Sequence, residues 1–358
     1  QKWHCVGFEA SLFPKSLTAL VLAFPNADWS FEKPKITDGA ELTMEFVPIG
    51  ELLPNLKELS LLNLARTRGV ILKALPTHLE KLVIVAEGSS MPNEWVSQLP
   101  AGLKHIEGIC STPLVEESLT TPICPQLEHW RVSASFEATL VRRFPAGLKS
   151  IVVNPPMASM LPIINASVRR LPRSLTELEL WTHCVSRRWL NLLPKSLTYL
   201  YLCVNYHTGT IDFTSALPNL RRLRLVSPTV AQPPQDNAMS LFKLPEIPPQ
   251  IEHLEIDAPV EWQSLPAASK LNHLHVKHNV TAFPGTLELP PSLKTLRLES
   301  RNHLHITLTR LFTPHLTALY APWEFAIGHA AILPRTLQIL HVHGWTCLEE
   351  AAELPPKL

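Results

Sequence analysis

Apolar residues recur along this chain in one spacing, L-x-x-L-x-L, and nearly every copy follows a proline. The copies read LFPKSLTALVL, LLPNLKELSL, LPTHLEKLVI, LPAGLKHIEG, CPQLEHWRV, FPAGLKSIVV, LPRSLTELEL, LPKSLTYLYL, LPNLRRLRL, IPPQIEHLEI, LPAASKLNHLHV, LPPSLKTLRL, FTPHLTALYA, LPRTLQILHV and LPPKL. Their first apolar residues, the anchors, are Leu17, Leu56, Leu79, Leu103, Leu127, Leu148, Leu175, Leu197, Leu220, Ile251, Leu271, Leu293, Leu316, Leu337 and Leu358. The mean interval is about 24 residues, a period that belongs to repeat architectures. Two intervals are long. The stretch near 23–52 reads as a degenerate repeat or an inserted helix, and the Pro-rich stretch near 226–245 as a surface excursion.

The apolar residues three and five positions after each anchor lie two apart, so on a strand they point the same way, while the residues between them face the other side. One such strand cannot bury its own apolar row, but stacked neighbours bury it for one another. The pattern therefore predicts an α/β solenoid: a curved parallel sheet on the concave side, with Pro-rich turns and short helices on the convex side. Residues 1–358 would form a single domain of about fifteen repeats. Proline stands three residues before the anchor at Pro14, Pro76, Pro100, Pro145, Pro172, Pro194, Pro248, Pro290, Pro334 and Pro355, and two before it at Pro54, Pro125, Pro218 and Pro314. Lacking an N–H, it is expected to end the preceding turn and set an extended entry into the strand.

These motifs resemble the leucine-rich repeat superfamily over essentially the whole chain. The L-P-x-S-L-T-x-L-x-L form is similar to amoebozoan FNIP-type repeats and, more distantly, to those of bacterial leucine-rich effectors. The resemblance implies a leucine-rich repeat solenoid and a recognition or scaffolding role. The family's usual asparagine, eight residues after the anchor, stands here only at Asn205 and Asn279. The turn after each strand is thus expected to be irregular and held by proline or local hydrogen bonds. The effector relatives carry ubiquitin-ligase activity in a separate domain with a catalytic cysteine, and nothing in this chain corresponds to it.

Composition narrows the classes of partner. Lys+Arg number 32 and Asp+Glu 31, a net charge of +1, which offers no footprint for a nucleic acid or an anionic membrane surface. No apolar run reaches the length of a membrane span. The six cysteines, Cys5, Cys110, Cys124, Cys184, Cys203 and Cys347, form no C-x-x-C pair and read mostly as free thiols. Their dispersion leans toward the cytoplasm and leaves a secreted or cell-surface location open. The chain opens on Gln1 and stops at Leu358 where a repeat begins, which reads as a segment of a longer protein.

Candidate chemistry lies in lanes two, four and six residues after each anchor, on the open face of the sheet. Glu177 and Glu179, Tyr199 and Tyr201, and Arg222 and Arg224 fall on three successive strands, with Trp181 in the third lane. Tyr, Trp and Arg are enriched at binding hot spots, so these seven residues are the candidate contact site for a protein partner. The alternative is a solvated charge pattern in which Arg stacks on Tyr for local stability. His253, Glu255, His273 and His275 form a square on adjacent strands that could hold Zn²⁺, but His is scattered through the chain. The four are read as ordinary polar residues of that face, and no metal or cofactor is expected. Glu107 with Arg131, and Asp257 with Lys277, are expected ion pairs between neighbouring coils. No G-x-S-x-G, phosphate-binding glycine loop or H-E-x-x-H is present. The expectation is a non-catalytic protein-recognition or scaffolding module. The alternative is a structural component of a larger assembly or filament, packed through its faces or edges.

Overall fold

The computed structural model describes residues 13–23, 43–45, 49–62, 69–71, 75–85, 98–109, 124–133, 138–153, 168–207, 213–226, 242–243, 247–258, 260–261, 270–277, 289–299, 313–322 and 333–343. The chain divides into two compact units, Gln1–Trp181 and Thr182–Leu358. In the first, strands β1 (Ala19–Ala23), β2 (Glu58–Leu62), β3 (Lys81–Ile84), β4 (His105–Ile109), β5 (His129–Ser133), β6 (Ser150–Val153) and the Glu177–Trp181 part of β7 (Glu177–Val185) pair in parallel, each with the next. In the second, β8 (Tyr199–His207), β9 (Arg222–Val226), β10 (His253–Asp257), β11 (His273–Val276), β12 (Thr295–Leu298), β13 (Ala318–Pro322) and β14 (Ile339–His343) do the same. Consecutive strands that pair in parallel need a return path outside the sheet, and this is the coil of a leucine-rich-repeat solenoid.

Register follows the anchors. Leu200 pairs with Leu223 and Leu223 with Leu254, so like positions stack on like. Along β9 the burial alternates, with Leu223 and Leu225 inside and Arg222 and Arg224 outside. The anchors from Leu56 to Leu337 are buried, as at Leu79, Leu148, Leu220 and Leu293, while Leu17 in the first coil is half-buried. Full burial of one such leucine is worth roughly 2 kcal/mol before chain entropy is charged against it. Trp130 takes the leucine position in β5, where it is fully buried and meets the Phe144 ring edge-on at 5.5 Å.

Where a proline stands two or three residues before a described anchor, its segment forms a tight turn rather than an extended entry. The anchor N–H donates to the carbonyl three residues back, from Leu17 to Pro14 at 2.9 Å, Leu79 to Pro76 at 3.1 Å and Leu337 to Pro334 at 3.0 Å. Where the proline lies two before the anchor, the same bond runs from Leu56 to Leu53 and from Leu220 to Leu217, both at 3.2 Å. Pro54 and Pro218 then occupy the second position of a four-residue turn, where a fixed φ is favourable. In most described coils two N–H groups next converge on one carbonyl of the coil before: Lys57 and Glu58 on Thr18, at 2.7 and 3.0 Å, and Thr176 and Glu177 on Lys149, at 2.8 and 3.0 Å.

A polar ladder runs along the turn ahead of the strands, one residue before the anchor. Asn55 Nδ2 donates to the Lys15 carbonyl at 3.0 Å, Asn219 Nδ2 to Lys195 at 2.9 Å, Gln250 Nε2 to Pro218 at 2.9 Å, Ser292 Oγ to Leu271 at 2.9 Å and Thr336 Oγ1 to Leu316 at 2.8 Å. Ser174 Oγ lies within reach of two carbonyls, Ala146 at 2.6 Å and Leu148 at 2.7 Å. These bonds tie each turn to the preceding coil at exposed or partly buried positions.

The return segments carry short helices: Ile49–Leu52, Arg187–Leu190 and Phe213–Ala216, with a 3-10 turn at Ala138–Arg143. Ser186 caps the second of these, its side chain accepting from the Trp189 N–H at 3.2 Å. Parts of both long intervals are described. In the first, Thr43–Glu45 pairs in parallel with Gly69–Ile71; in the second, Phe242–Lys243 pairs with Val260–Glu261. The last anchor, Leu358, and the sequence asparagine Asn279 lie outside the described residues.

Candidate functional site

The seven candidate contact residues are divided between the units. In the first, Glu177 stands in register with Ser150, and Glu179 with Val152. Glu177 is exposed and Glu179 half-buried, while the Trp181 side chain lies outside the described residues. In the second, Tyr199 stands in register with Arg222, and Tyr201 with Arg224. The two tyrosines are half-buried, Arg222 is exposed and Arg224 is half-buried. The open face of β8 and β9 therefore presents two Tyr–Arg rows side by side, and the two rows differ.

In the row four residues after the anchor, the side chains lock into one another across the second unit. The Arg224 guanidinium lies 4.8 Å over the Tyr201 ring, and its Nε is 3.2 Å from Glu255 Oε1. Lys277 Nζ donates to the same oxygen at 2.7 Å. His275 sits between two carboxylates, its Nδ1 3.8 Å from Glu255 and its Nε2 3.3 Å from Glu299. Arg297 Nε donates to Glu299 Oε1 at 2.5 Å, and the Arg297 guanidinium lies 5.5 Å from the Tyr320 ring centre, which is 5.7 Å from that of His341. Burial pushes His275 below its ordinary value, against the pull of both carboxylates. Burial acts upward on Glu299, but His275 and Arg297 outweigh it and hold the carboxyl low. The expected Asp257–Lys277 pair gives way here: Lys277 reaches diagonally to Glu255.

The row two residues after the anchor is different. The His253 and His273 rings stack at 4.3 Å with planes 7° apart, next to Arg222. Burial lowers both histidines, and Arg222 adds to the effect on each; His273 feels Lys294 as well. Parallel stacked rings aim their nitrogen lone pairs side by side, and Glu255 already holds Arg224 and Lys277. The four residues weighed as a Zn²⁺ square are thus not gathered around a point, and among the described residues no group of three or more His, Cys, Asp or Glu is placed to hold a metal ion.

The first unit repeats part of this scheme. His105 and His129 lie with ring centres 5.6 Å apart, and Arg131 Nη1 is 3.8 Å from Glu107, as the spacing predicts. Burial lowers His105, with Glu107 opposing. One residue after the anchor runs a charge ladder that the lane reading passed over. Lys57 lies 3.5 Å from Glu80, Glu80 2.8 Å from Lys104, and Glu128 2.7 Å from Lys149. Hydrogen bonds from Lys104 and Lys149 lower Glu80 and Glu128, and Glu80 in turn raises Lys104. Its sequence signal was the K/E alternation Lys57, Glu80, Lys104, Glu128, Lys149 at the repeat period. Arg297, Tyr320 and His341 were likewise legible as lane residues, but the linkage of Arg297 to His275 through Glu299 was not.

Cys124 and Cys203 are free and buried. Among the described residues no helix is long and apolar enough to cross a membrane.

No protein-family model and no curated protein matches the chain. Among solved structures it is similar to CroV588, described as a novel circular LRR protein, at 20% identity and a TM-score of 0.49 over 97% of this chain and 49% of that one. It is similar to a chain of the Toll–Spatzle complex of Drosophila at 14% identity and a TM-score of 0.48, over 87% and 48%. A chain of the TLR13–ssRNA13 complex matches at 14% identity and a TM-score of 0.44, over 87% and 55%. The chain thus spans about half the length of these structures. The fold assignment rests on the chain's own geometry, in which anchors a repeat apart pair in register, strand after strand, within each unit. That geometry is the leucine-rich-repeat fold.

Proposed function

We propose that residues 1–358 act as one non-catalytic leucine-rich-repeat recognition domain that binds a protein partner through the open face of its sheet. Solenoids of this kind use such faces as extended binding surfaces. The observation that carries the proposal is the interlocked row on the second unit, where Tyr201, Arg224, Glu255, His275, Arg297 and Tyr320 hold one another in place. Large side chains already fixed in the free protein lose less entropy on binding, which is how aromatic and arginine residues become hot spots. Mixed signs along the row favour a protein surface over a uniform polyanion. Toll is found with Spatzle and TLR13 with ssRNA13 in the complexes named above, and for this chain the charge pattern favours a ligand of the first kind. Arg224, Glu255, His275 and Arg297 of that row are tied into ion pairs, two of them through Glu299, an arrangement suited to docking.

The test compares proteins retained from the native source by the wild-type chain and by a Y201A/R224A variant of equal stability. A partner bound by the wild type and lost by the variant supports recognition through this face. An unchanged set of partners refutes it and favours the structural alternative, packing through other faces or edges.

A further inference from the structure

We propose that Tyr199, Arg222, His253, His273 and Lys294 of the second unit form an anion-accepting strip whose ligand is a short, extended, acidic segment of a partner protein. This deepens the recognition reading and rests on it. The strip runs beside the interlocked row but is not consumed by it. Arg224 is held by Tyr201 and Glu255, whereas among the described residues no carboxylate pairs with Arg222 or Lys294, both of which are exposed. Between these two cations lie the stacked His253 and His273 rings.

The charges around the histidine pair come from every neighbouring element. Arg222 acts on both rings from β9, and Lys294 acts on His273 from just ahead of β12. Among the described residues the one carboxylate acting on the pair is Glu252, and it is held by Arg221 at 2.6 Å. In the adjacent row Glu255 is committed to Arg224 and Lys277. The strip therefore has a local excess of positive charge within a chain of net charge +1. Charge complementarity selects a carboxylate-bearing segment. Three strand spacings separate Arg222 from Lys294, roughly 14 Å, which about four residues of extended peptide span. Two carboxylates on such a segment can meet the two cations while the peptide backbone crosses the histidine rings.

Neutral rings stacked between cations gain charge when an anion arrives. Each ring is held below its ordinary value in the free protein, and a bound carboxylate favours the imidazolium, so binding takes up protons and tightens as the pH falls. The experiment is fluorescence anisotropy with a fluorescein-labelled Glu-rich octapeptide and a Gly/Ser octapeptide as control, read at about pH 7.5 and about pH 5.5, where the Glu side chains stay ionised. The expected result is binding of the acidic peptide alone, about tenfold tighter at the lower pH. R222Q/K294Q should weaken it about tenfold at both pH values, and H253Q/H273Q should abolish the pH gain while sparing the affinity at the higher pH. These side chains are exposed or half-buried, and unchanged urea midpoints establish that the variants fold. Equal binding of the control peptide, affinity independent of pH, or full binding by R222Q/K294Q overturns the proposal. Failure here can be told apart from failure of the recognition reading. A partner lost by Y201A/R224A alongside no acidic-peptide binding removes the strip and keeps the recognition face. Acidic-peptide binding that needs Arg222, with no partner dependent on Tyr201, does the reverse.

Discussion

Leu223→Ala is the sharpest perturbation of the stacking on which both rows depend. Leu223 is 1% exposed, lies between Arg222 and Arg224 on β9, and pairs in register with Leu200 on one side and Leu254 on the other. Truncation removes three carbons from a site that the flanking leucines cannot refill without moving their own strands. The expected cost is about 3 kcal/mol, within the range of 2–5 for buried leucines, and it should appear in urea melts followed by circular dichroism. Ile339, 50% exposed, serves as the surface control, and Ile339→Ala should cost less than about 0.5 kcal/mol. Nearest-neighbour stacking makes a further demand. Leu223→Ala and Leu254→Ala, in contact across the ladder, should be coupled by at least about 0.5 kcal/mol, whereas Leu223→Ala and Leu319→Ala, four strands apart, should add. A cost below about 1 kcal/mol for Leu223→Ala, or coupling of the distant pair without coupling of the near one, refutes the reasoning.

Three further outcomes follow from the same geometry. Ser174→Ala removes the hydroxyl within reach of the Ala146 and Leu148 carbonyls and should cost about 0.5–1.5 kcal/mol by urea titration, with Ser174→Thr recovering part of it. Glu80→Lys places a third cation between Lys57 and Lys104 and should lower the melting temperature in dilute buffer, with the loss shrinking as salt is added, since the ladder is solvent-exposed. The stability profile should fall at both ends of the pH scale. His105 and His275 are depressed by burial, so their contribution is whole above the unfolded value of 6.5 and is lost as pH drops through their folded values. Burial raises the Cys124 thiol to about 11 and the Cys203 thiol to about 12, so their contribution is whole below 9.0 and is lost as pH climbs through those values. Thermal melts across pH check both limbs, and His105→Gln should flatten the acid one.

The sequence by itself determined the coil, its period and its lanes. Side chains on a strand alternate with period two and each coil repeats the same spacing, so Leu200, Leu223 and Leu254 had to stack on one side and Tyr201, Arg224 and Glu255 on the other. It also located Glu107 opposite Arg131. Only the tertiary structure decided which charges are spent and which are left. Lys277 and Asp257 share a lane, yet the long lysine side chain reaches diagonally to Glu255, where Arg224 already concentrates charge. Arg222 and Arg224 read as equivalents in sequence; the structure commits one to Tyr201 and Glu255 and leaves the other beside two stacked histidines. The turn ladder at Asn55, Ser174 and Asn219 was hidden for the same reason, because a spacing names neighbours, whereas a hydrogen bond also depends on the direction a side chain takes from its turn. A one-dimensional pattern fixes which residues share a lane, and three-dimensional reach fixes how they pair.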